Sequence, residues 1–207
     1  MKNLFVALWM TLWSTLGMAA GPEAGRDYTP INPPMNTDAK GKIEVIEFFS
    51  YGCPHCAEFN PVLHKWAARL PKDVSVRRVP VTFNRAIWVR LSKLYFALEA
   101  GGDLAKLDDA VFVAIHRERA PFNTDEAVIA WVGSKGGDSK RFADMMSSFA
   151  VQSKQMRAEQ EVAAARINGV PALAIDGKFL IGSEGGYEHM LKTADALIDK
   201  ARQERKK

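Results

Sequence analysis

The feature that most constrains this chain is Cys53-Pro54-His55-Cys56, which contains its only two cysteines. Residues 43–49, a β-rich run with few polar interruptions, lead into the motif, and residues 54–70 follow it with apolar side chains at helical spacing. A second alternating run covers residues 74–83. The pattern predicts a β–α–β unit whose crossover helix carries the cysteines at its N-terminus, where chemistry usually lies in such sheets.

Residues 85–158 are predicted to form an inserted helical domain. Apolar stripes indicate one helix over residues 87–98 and a second over residues 104–115. Asn123 and Glu126 have the spacing of a capping box for a third helix, and a fourth is marked by three apolar residues, Phe142, Met145 and Phe149. A further helix is predicted to end at Asn168-Gly169.

The C-terminal part of the chain predicts a hairpin followed by a helix. Residues 172–175 and 178–181 have strand character, and Asp176-Gly177 between them is a strong signal for a two-residue turn. From Tyr187 onward, apolar residues recur at helical spacing. Residues 41–84 and 159–207 are therefore expected to form one α/β domain around the insert.

Residues 1–20 resemble a cleavable signal peptide, with a cationic start, an apolar run and small residues at the end. We expect cleavage near residue 19 or 20; an uncleaved membrane anchor is the alternative. Residues 21–40 contain four prolines and predict an extended N-terminal lead rather than a packed element. The formal net charge is only +4, with basic residues crowded near the C-terminus, so the charge gives no support to nucleic-acid binding.

If the protein is exported, Cys53 and Cys56 can form a disulfide, because disulfides persist outside the cytoplasm. As a structural bridge, so short a ring would contribute only about 2 kcal/mol, against nearly 5 kcal/mol for a 100-residue loop. Closely spaced cysteines can also bind zinc, but the chain has no second pair, and His64, His116 and His189 lack ligand spacing. A redox role for Cys53 and Cys56 fits better than either alternative.

A strand, a helix that begins with Cys-x-x-Cys, another strand and a late hairpin introduced by x-Pro resemble a thioredoxin-like fold interrupted by an inserted α-helical domain. Residues 47–56, Glu-Phe-Phe-Ser-Tyr-Gly-Cys-Pro-His-Cys, are similar to the active-site segment of the DsbA family. Residues 169–172, Gly-Val-Pro-Ala, are similar to the cis-proline loop of that family. The resemblance covers essentially the whole chain after the signal peptide. The family's aromatic pair before the first cysteine is replaced here by Tyr51-Gly52.

Helix N-termini stabilise anions, and only a thiolate attacks a disulfide, so Cys53 at an exposed first turn is the expected nucleophile. Cys56, one turn on, is expected to be the buried resolving partner. Pro54 removes an N–H group that could bond a sulfur. A cationic His55 would add positive charge beside Cys53, whereas a neutral surface histidine is the plainer alternative.

Glu47 is an acid within an otherwise apolar strand, which is costly unless the group is paired or protonated. Its match in the DsbA resemblance is a buried glutamate that assists proton movement at Cys56, and Arg78 is the expected partner. A solvated carboxylate at a strand edge is the alternative. The resemblance also implies that Pro171 is cis and that the backbone of Val170 pairs with an extended substrate segment.

The resemblance implies a periplasmic dithiol oxidase that donates its Cys53–Cys56 disulfide to unfolded exported proteins with free cysteines. It implies re-oxidation by a DsbB-like membrane quinone reductase and no cofactor or metal beyond the cysteine pair. We expect a monomer with an apolar peptide groove beside the site. A disulfide isomerase or reductase and a redox-inert peptide-binding chaperone are the alternatives. The first is disfavoured because residues 21–40 are too few for a dimerisation domain, and the second because both cysteines are present.

Overall fold

The computed structural model describes residues 21–206, so the predicted signal peptide lies outside the described residues. The five strands are β1 (Thr29–Pro30), β2 (Ile43–Phe49), β3 (Val74–Pro80), β4 (Ala172–Ile175) and β5 (Phe179–Ile181). The seven helices are α1 (Pro54–Ala67), α2 (Ala86–Gly101), α3 (Leu104–His116), α4 (Asp125–Ser134), α5 (Ser139–Met146), α6 (Phe149–Ala164) and α7 (Tyr187–Glu204). Within these residues, none of the helices combines the length and apolar character needed to cross a membrane.

The strands form one sheet in the order β1-β5-β4-β2-β3. β2 pairs in parallel with β3 and antiparallel with β4, so it is an interior strand, and all seven of its residues are buried. The predicted β–α–β unit is confirmed, with α1 as its crossover. The predicted hairpin is also confirmed: Asp176 and Gly177 both have positive φ, at 54° and 65°, as the turn requires.

Two apolar cores flank the sheet. One joins β2, β4 and β5 to α1 and α7 through residues such as Val45, Leu63 and Leu197. The other joins the opposite side to the helices between β3 and β4 through residues such as Phe48, Leu94 and Val111. The sheet therefore lies between the cores, and the cysteines at the end of β2 belong to the second one.

The prediction that residues 21–40 do not pack is wrong. β1 pairs antiparallel with β5, Ile31 donates its backbone N–H to the Lys178 carbonyl, and Tyr28 and Ile31 are buried. Tyr28 packs edge-on against Phe179. The prolines are compatible with this position because an edge strand leaves one side of its backbone unpaired.

Several predicted helix ends also differ. Thr124, not Asn123, caps α4 by accepting a hydrogen bond from the Ala127 N–H. Phe149 begins α6 rather than ending α5, and its side chain is 78% exposed. α6 ends at Ala164 rather than at Asn168-Gly169, and the nearby left-handed residue is Arg166, with φ at 54°. The predicted boundary between insert and α/β domain, at residues 158 and 159, falls within α6.

Candidate active site

Cys53 is the N-cap residue of α1, Pro54 is its first residue, and Cys56 lies in its first turn. Cys56 is fully buried, as predicted. Cys53 was expected to be exposed, but only 7% of its surface is accessible, because it sits between the helix and the loop before β4. Its thiol donates a hydrogen bond to the Val170 carbonyl at 3.5 Å.

The surroundings of Cys53 favour the thiolate. Its pKa is lowered to about 6, chiefly by a hydrogen bond from the Cys56 thiol and further by the backbone N–H groups of Cys56 and His55. The positive charge of His55 makes a smaller contribution. The helix N-terminus thus stabilises the Cys53 thiolate as expected. The Cys56 thiol lowers the pKa of Cys53 more than His55 does, although the sequence pointed to His55.

Cys56 has the opposite character. Burial raises its pKa well above the ordinary range of a thiol, and the nearby Cys53 sulfur raises it further. At a pH at which Cys53 loses its proton, Cys56 therefore keeps its own. This asymmetry makes Cys53 the attacking and leaving thiolate of the pair.

Pro54 and His55 are both exposed at the end of α1. Behind them, the Tyr187 hydroxyl donates a hydrogen bond to the His55 carbonyl at 2.9 Å and lies 3.2 Å from Glu58 Oε2. The N-terminus of α7 is thereby tied to the active-site turn. Tyr187 was identified from the sequence only as part of an apolar helix face.

Glu47 is fully buried, so a solvated strand-edge carboxylate is ruled out, and Arg78 is its partner as predicted. The two residues lie opposite each other in the β2–β3 register, and Arg78 Nε donates to Glu47 Oε2 at 2.5 Å. Burial raises the pKa of Glu47 despite this pairing. Its other oxygen, Oε1, has no hydrogen-bond partner among the described residues.

The structure adds Asp108 to this pair. Asp108 is buried on α3, accepts a hydrogen bond from Arg78 Nη1 at 2.7 Å and accepts another from the Tyr51 hydroxyl at 2.5 Å. It was missed because α3 was interpreted only through its apolar stripe. A signal was available, since an aspartate at position 108 falls on the same helix face as Leu104, Val111 and Ile115.

A second contact from α3 holds the strand-to-helix turn. His116 Nε2 lies 2.7 Å from the Tyr51 carbonyl oxygen, two residues before Cys53, and its ring stacks on Phe112. At the same turn, a Cβ on Gly52 would lie 2.5 Å from the Trp88 indole nitrogen. The glycine therefore allows Trp88 to pack directly against the backbone beside the nucleophile.

The loop before β4 approaches Cys53, and its Val170–Pro171 peptide bond is cis, as the sequence resemblance implied. A cleft of about 630 Å³ runs from this loop between the N-terminal segment and the loop before α7. Charged and histidine side chains line this cleft: Arg26, Asp27, Arg166, Glu184 and His189. The expected apolar groove is instead a second cleft of about 570 Å³ beside Pro54, between α1 and α3, whose lining includes Ala57, Pro61, Phe112 and Val113.

One group within residues 21–206 has the geometry to hold a metal ion, namely His64, Asp108 and Asp109. Both oxygens of Asp108 already accept hydrogen bonds from Tyr51 and Arg78. His64 lies 3.8 Å from Asp108 and 3.7 Å from Asp109. We therefore describe this group as a network of polar side chains.

A thioredoxin-like sheet, a Cys-x-x-Cys pair at a helix N-terminus and a facing cis-proline define a thiol:disulfide oxidoreductase. Comparison with known proteins agrees: residues 44–190 match the model of the DSBA-like thioredoxin domain. The chain belongs to the DsbA family. The thioredoxin-like fold with inserted helices and the disulfide oxidoreductase activity predicted from the sequence are thus confirmed.

Individual relatives cover most of the chain. The thiol:disulfide interchange protein DsbA of Bordetella parapertussis is 40% identical over 180 residues, which cover 86% of this chain and 85% of the relative. The crystal structure of Pseudomonas aeruginosa DsbA has a TM-score of 0.86 at 36% identity and covers 90% of this chain and 97% of that one. An oxidoreductase of Neisseria meningitidis, NmDsbA1, gives 0.79 at 28% identity, covering 89% and 96%.

Proposed function

We propose that this protein donates the Cys53–Cys56 disulfide to cysteine pairs of newly exported proteins in the periplasm. The observation that carries the proposal is the asymmetry of the pair: the pKa of Cys53 is lowered to about 6, and that of Cys56 is raised well above its ordinary range. Stabilising one thiolate stabilises the reduced form, and that makes the disulfide form a stronger oxidant.

The proposed reaction passes through a mixed disulfide at Cys53. A substrate thiolate attacks Cys53 Sγ, the Cys53–Cys56 bond breaks, and Cys56 leaves with the electron pair and takes up a proton. A second substrate thiolate then attacks the substrate sulfur of the mixed disulfide, and Cys53 leaves as a thiolate. The substrate dithiol loses two electrons, and the enzyme disulfide gains them.

Four neighbouring residues support these steps. Glu47, buried with its pKa raised, supplies the proton to Cys56 and recovers it during re-oxidation. The Val170 carbonyl, 3.5 Å from Cys53 Sγ, is in place to pair with the extended backbone of a substrate beside Pro171. His55 contributes positive charge beside the Cys53 thiolate, and Pro54 leaves the first position of α1 without an N–H donor.

Further expectations concern location and partners. The signal-like pattern of residues 1–20 supports export to the periplasm. The reduced enzyme would be re-oxidised by a DsbB-like membrane protein that passes electrons to quinone. The cysteine pair would be the redox group, without a further cofactor, and the active protein would be a monomer.

The test is the reduction potential of the cysteine pair, measured by equilibration with glutathione on the mature protein, with Cys53→Ala as the control that cannot form the disulfide. A value near −120 mV, at the oxidising end of the thioredoxin-like proteins, is expected for a disulfide donor. A value near −270 mV, roughly that of thioredoxin, would reverse the proposed direction and make the protein a reductase.

A further inference from the structure

Two buried carboxylates share one guanidinium below the cysteines. Arg78 Nε contacts Glu47 Oε2 at 2.5 Å, and its Nη1 contacts Asp108 Oδ2 at 2.7 Å. The guanidinium also lies 3.8 Å from the centroid of the Phe49 ring, which helps to hold it in place. With both acids ionised, this cluster would carry one uncompensated negative charge in the protein interior, which is costly.

The two acids are unequally equipped to carry that charge. Asp108 accepts hydrogen bonds from Arg78 and from the Tyr51 hydroxyl, and the His64 imidazole lies 3.8 Å away. Glu47 accepts only from Arg78, and its Oε1 has no partner among the described residues. Hydrogen bonds to a carboxylate stabilise its charged form, so the ionised acid is Asp108 and the proton resides on Glu47.

We propose that Asp108 is a positioning residue for proton transfer at Cys56. Asp108 pairs with the Arg78 guanidinium and so weakens the pairing of that cation with Glu47, which lets Glu47 keep its proton. The inference rests on the proposed disulfide donation. Asp108 itself touches neither cysteine. It determines whether the acid below Cys56 holds a proton when the Cys56 thiolate leaves.

Charged and titratable groups face Glu47 from three helices and one strand: Arg78 on β3, Asp108 on α3, His64 and Cys56 on α1, and Tyr95 on α2. On the β4 side, the residue opposite Glu47 is the apolar Leu173. Burial raises the pKa of Glu47 the most, and the charge of Asp108 raises it further, whereas Arg78 and His64 lower it. Asp108 is therefore the charged neighbour to change.

The test is Asp108→Asn in the full mature chain. Asparagine keeps an oxygen to accept the Tyr51 hydroxyl but removes the charge, so Arg78 would pair with Glu47 alone and the pKa of Glu47 would fall. The readout is single-turnover oxidation of a dithiol peptide at a series of pH values. Taking the ratio of wild-type to variant rates at each pH cancels the ionisation of the peptide thiols.

The expected ratio is near one at acid pH, where Glu47 is protonated in both proteins. It grows with pH and reaches about tenfold for each unit by which the pKa of Glu47 has fallen. Asp109→Asn is the matched control, because Asp109 is adjacent in sequence, its side chain is 75% exposed and it does not contact Arg78. Its ratio should stay near one at every pH.

Two further measurements keep the test decisive. The carboxyl ¹³C signal of Glu47 should titrate at lower pH in Asp108→Asn than in wild type. In a Glu47→Gln background, Asp108→Asn should cause no further loss of rate. If Asp108→Asn does not fold, Tyr51→Phe removes one hydrogen bond from Asp108 and should move the Glu47 titration in the same direction by a smaller amount.

A ratio that does not change with pH, or an unshifted Glu47 titration, would overturn the inference. The proposed function would survive that result, because wild type would still oxidise the peptide and show an oxidising potential. If wild type itself fails to oxidise the peptide, the proposed function fails, while the Glu47 titration still reports whether Asp108 controls the proton.

Discussion

β2 carries two buried glutamates three residues apart, each beside an arginine of β3, and their surroundings differ. Glu44 Oε1 accepts the backbone N–H groups of Asp38 and Ala39, both at 3.1 Å. Its Oε2 lies 3.1 Å from Arg77 Nε as an ion pair and accepts no hydrogen bond among the described residues. Glu47 has one guanidinium, which it shares with Asp108, and an oxygen without a hydrogen-bond partner in the described part of the chain.

Strand geometry places the two acids on opposite faces of the sheet. Glu44 fastens the N-terminal segment to β2, and Arg77 continues the network to Glu161 on α6 at 2.7 Å. Glu47 faces the helix that carries the cysteines. A buried acid held by two backbone N–H groups stabilises a fold. One that has only a shared guanidinium and a raised pKa can exchange a proton.

The largest difference should come from replacing the arginines with methionine. Arg78→Met leaves Glu47 and Asp108 buried without a cation and should cost about 3–5 kcal/mol of unfolding free energy. Arg77→Met should cost only about 1–2 kcal/mol, because Glu44 keeps its two backbone donors and the Arg77 side chain is 25% exposed. Urea denaturation at neutral pH measures both.

The Arg78→Met loss should also depend on pH. Without Arg78, burial raises the pKa of Glu47 further, so the destabilisation is present above its unfolded pKa near 4 and shrinks as acid protonates it. The proposed difference between Glu44 and Glu47 would be contradicted if Arg78→Met and Arg77→Met lost equal unfolding free energy. It would also be contradicted if the loss from Arg78→Met persisted unchanged at low pH.

Glutamine substitutions should separate stability from catalysis. Glu44→Gln places a donor against Arg77 and should destabilise the protein by about 1–3 kcal/mol, with little change in disulfide exchange. Glu47→Gln replaces a proton-bearing acid with a neutral amide, so stability should change by less than about 1 kcal/mol while peptide oxidation slows at least severalfold.

Glu118→Gln provides a control for the loss of one acidic group, since the side chain of Glu118 is 51% exposed and 4.0 Å from Lys135. Glu118→Gln should alter neither the free energy of unfolding nor the rate of peptide oxidation. The distinction between the two glutamates would be wrong if Glu47→Gln unfolded as easily as Glu44→Gln and oxidised peptides at the wild-type rate.

The two glutamates also show which features of the fold and the site can be predicted from the sequence. β2, the cysteine motif and α1 were predictable because their signals are local, and Glu47 stood out because an acid in an apolar strand is exceptional. Arg78 could be paired with it because parallel neighbours in a β–α–β unit share a register. The turn at Asp176-Gly177 was predictable from two residues that tolerate positive φ.

The remaining features depend on segments distant in sequence. β1 looked like a lead because its pairing partner, β5, lies about 150 residues away. Asp108 reaches Arg78 from another element, so only the position of α3 against β3 reveals that the guanidinium is shared. The supporting contacts of Glu44 are backbone N–H groups, which no side-chain pattern encodes.

β2 also leads directly into the cysteines, so their redox state should add a smaller pH dependence of stability. In the reduced protein, the pKa of Cys53 is lowered to about 6 from an ordinary value near 8.5. A lowered folded-state pKa stabilises the fold above the unfolded value, and this stabilisation is lost as the pH falls through about 6. At pH 7 it amounts to roughly 1.4 kcal/mol.

Above about pH 8.5 the gain should reverse, because Cys56 ionises in the unfolded chain while burial keeps it protonated in the fold. The stability of the reduced protein minus that of the oxidised protein, measured by urea denaturation across this range, should therefore rise from about pH 6 and peak near pH 8.5. Glu44→Gln should leave the shape of the curve unchanged, since Glu44 lies on the other face of the sheet. A flat curve would mean that the fold does not favour the Cys53 thiolate, and the asymmetry between the two cysteines would then not account for disulfide donation.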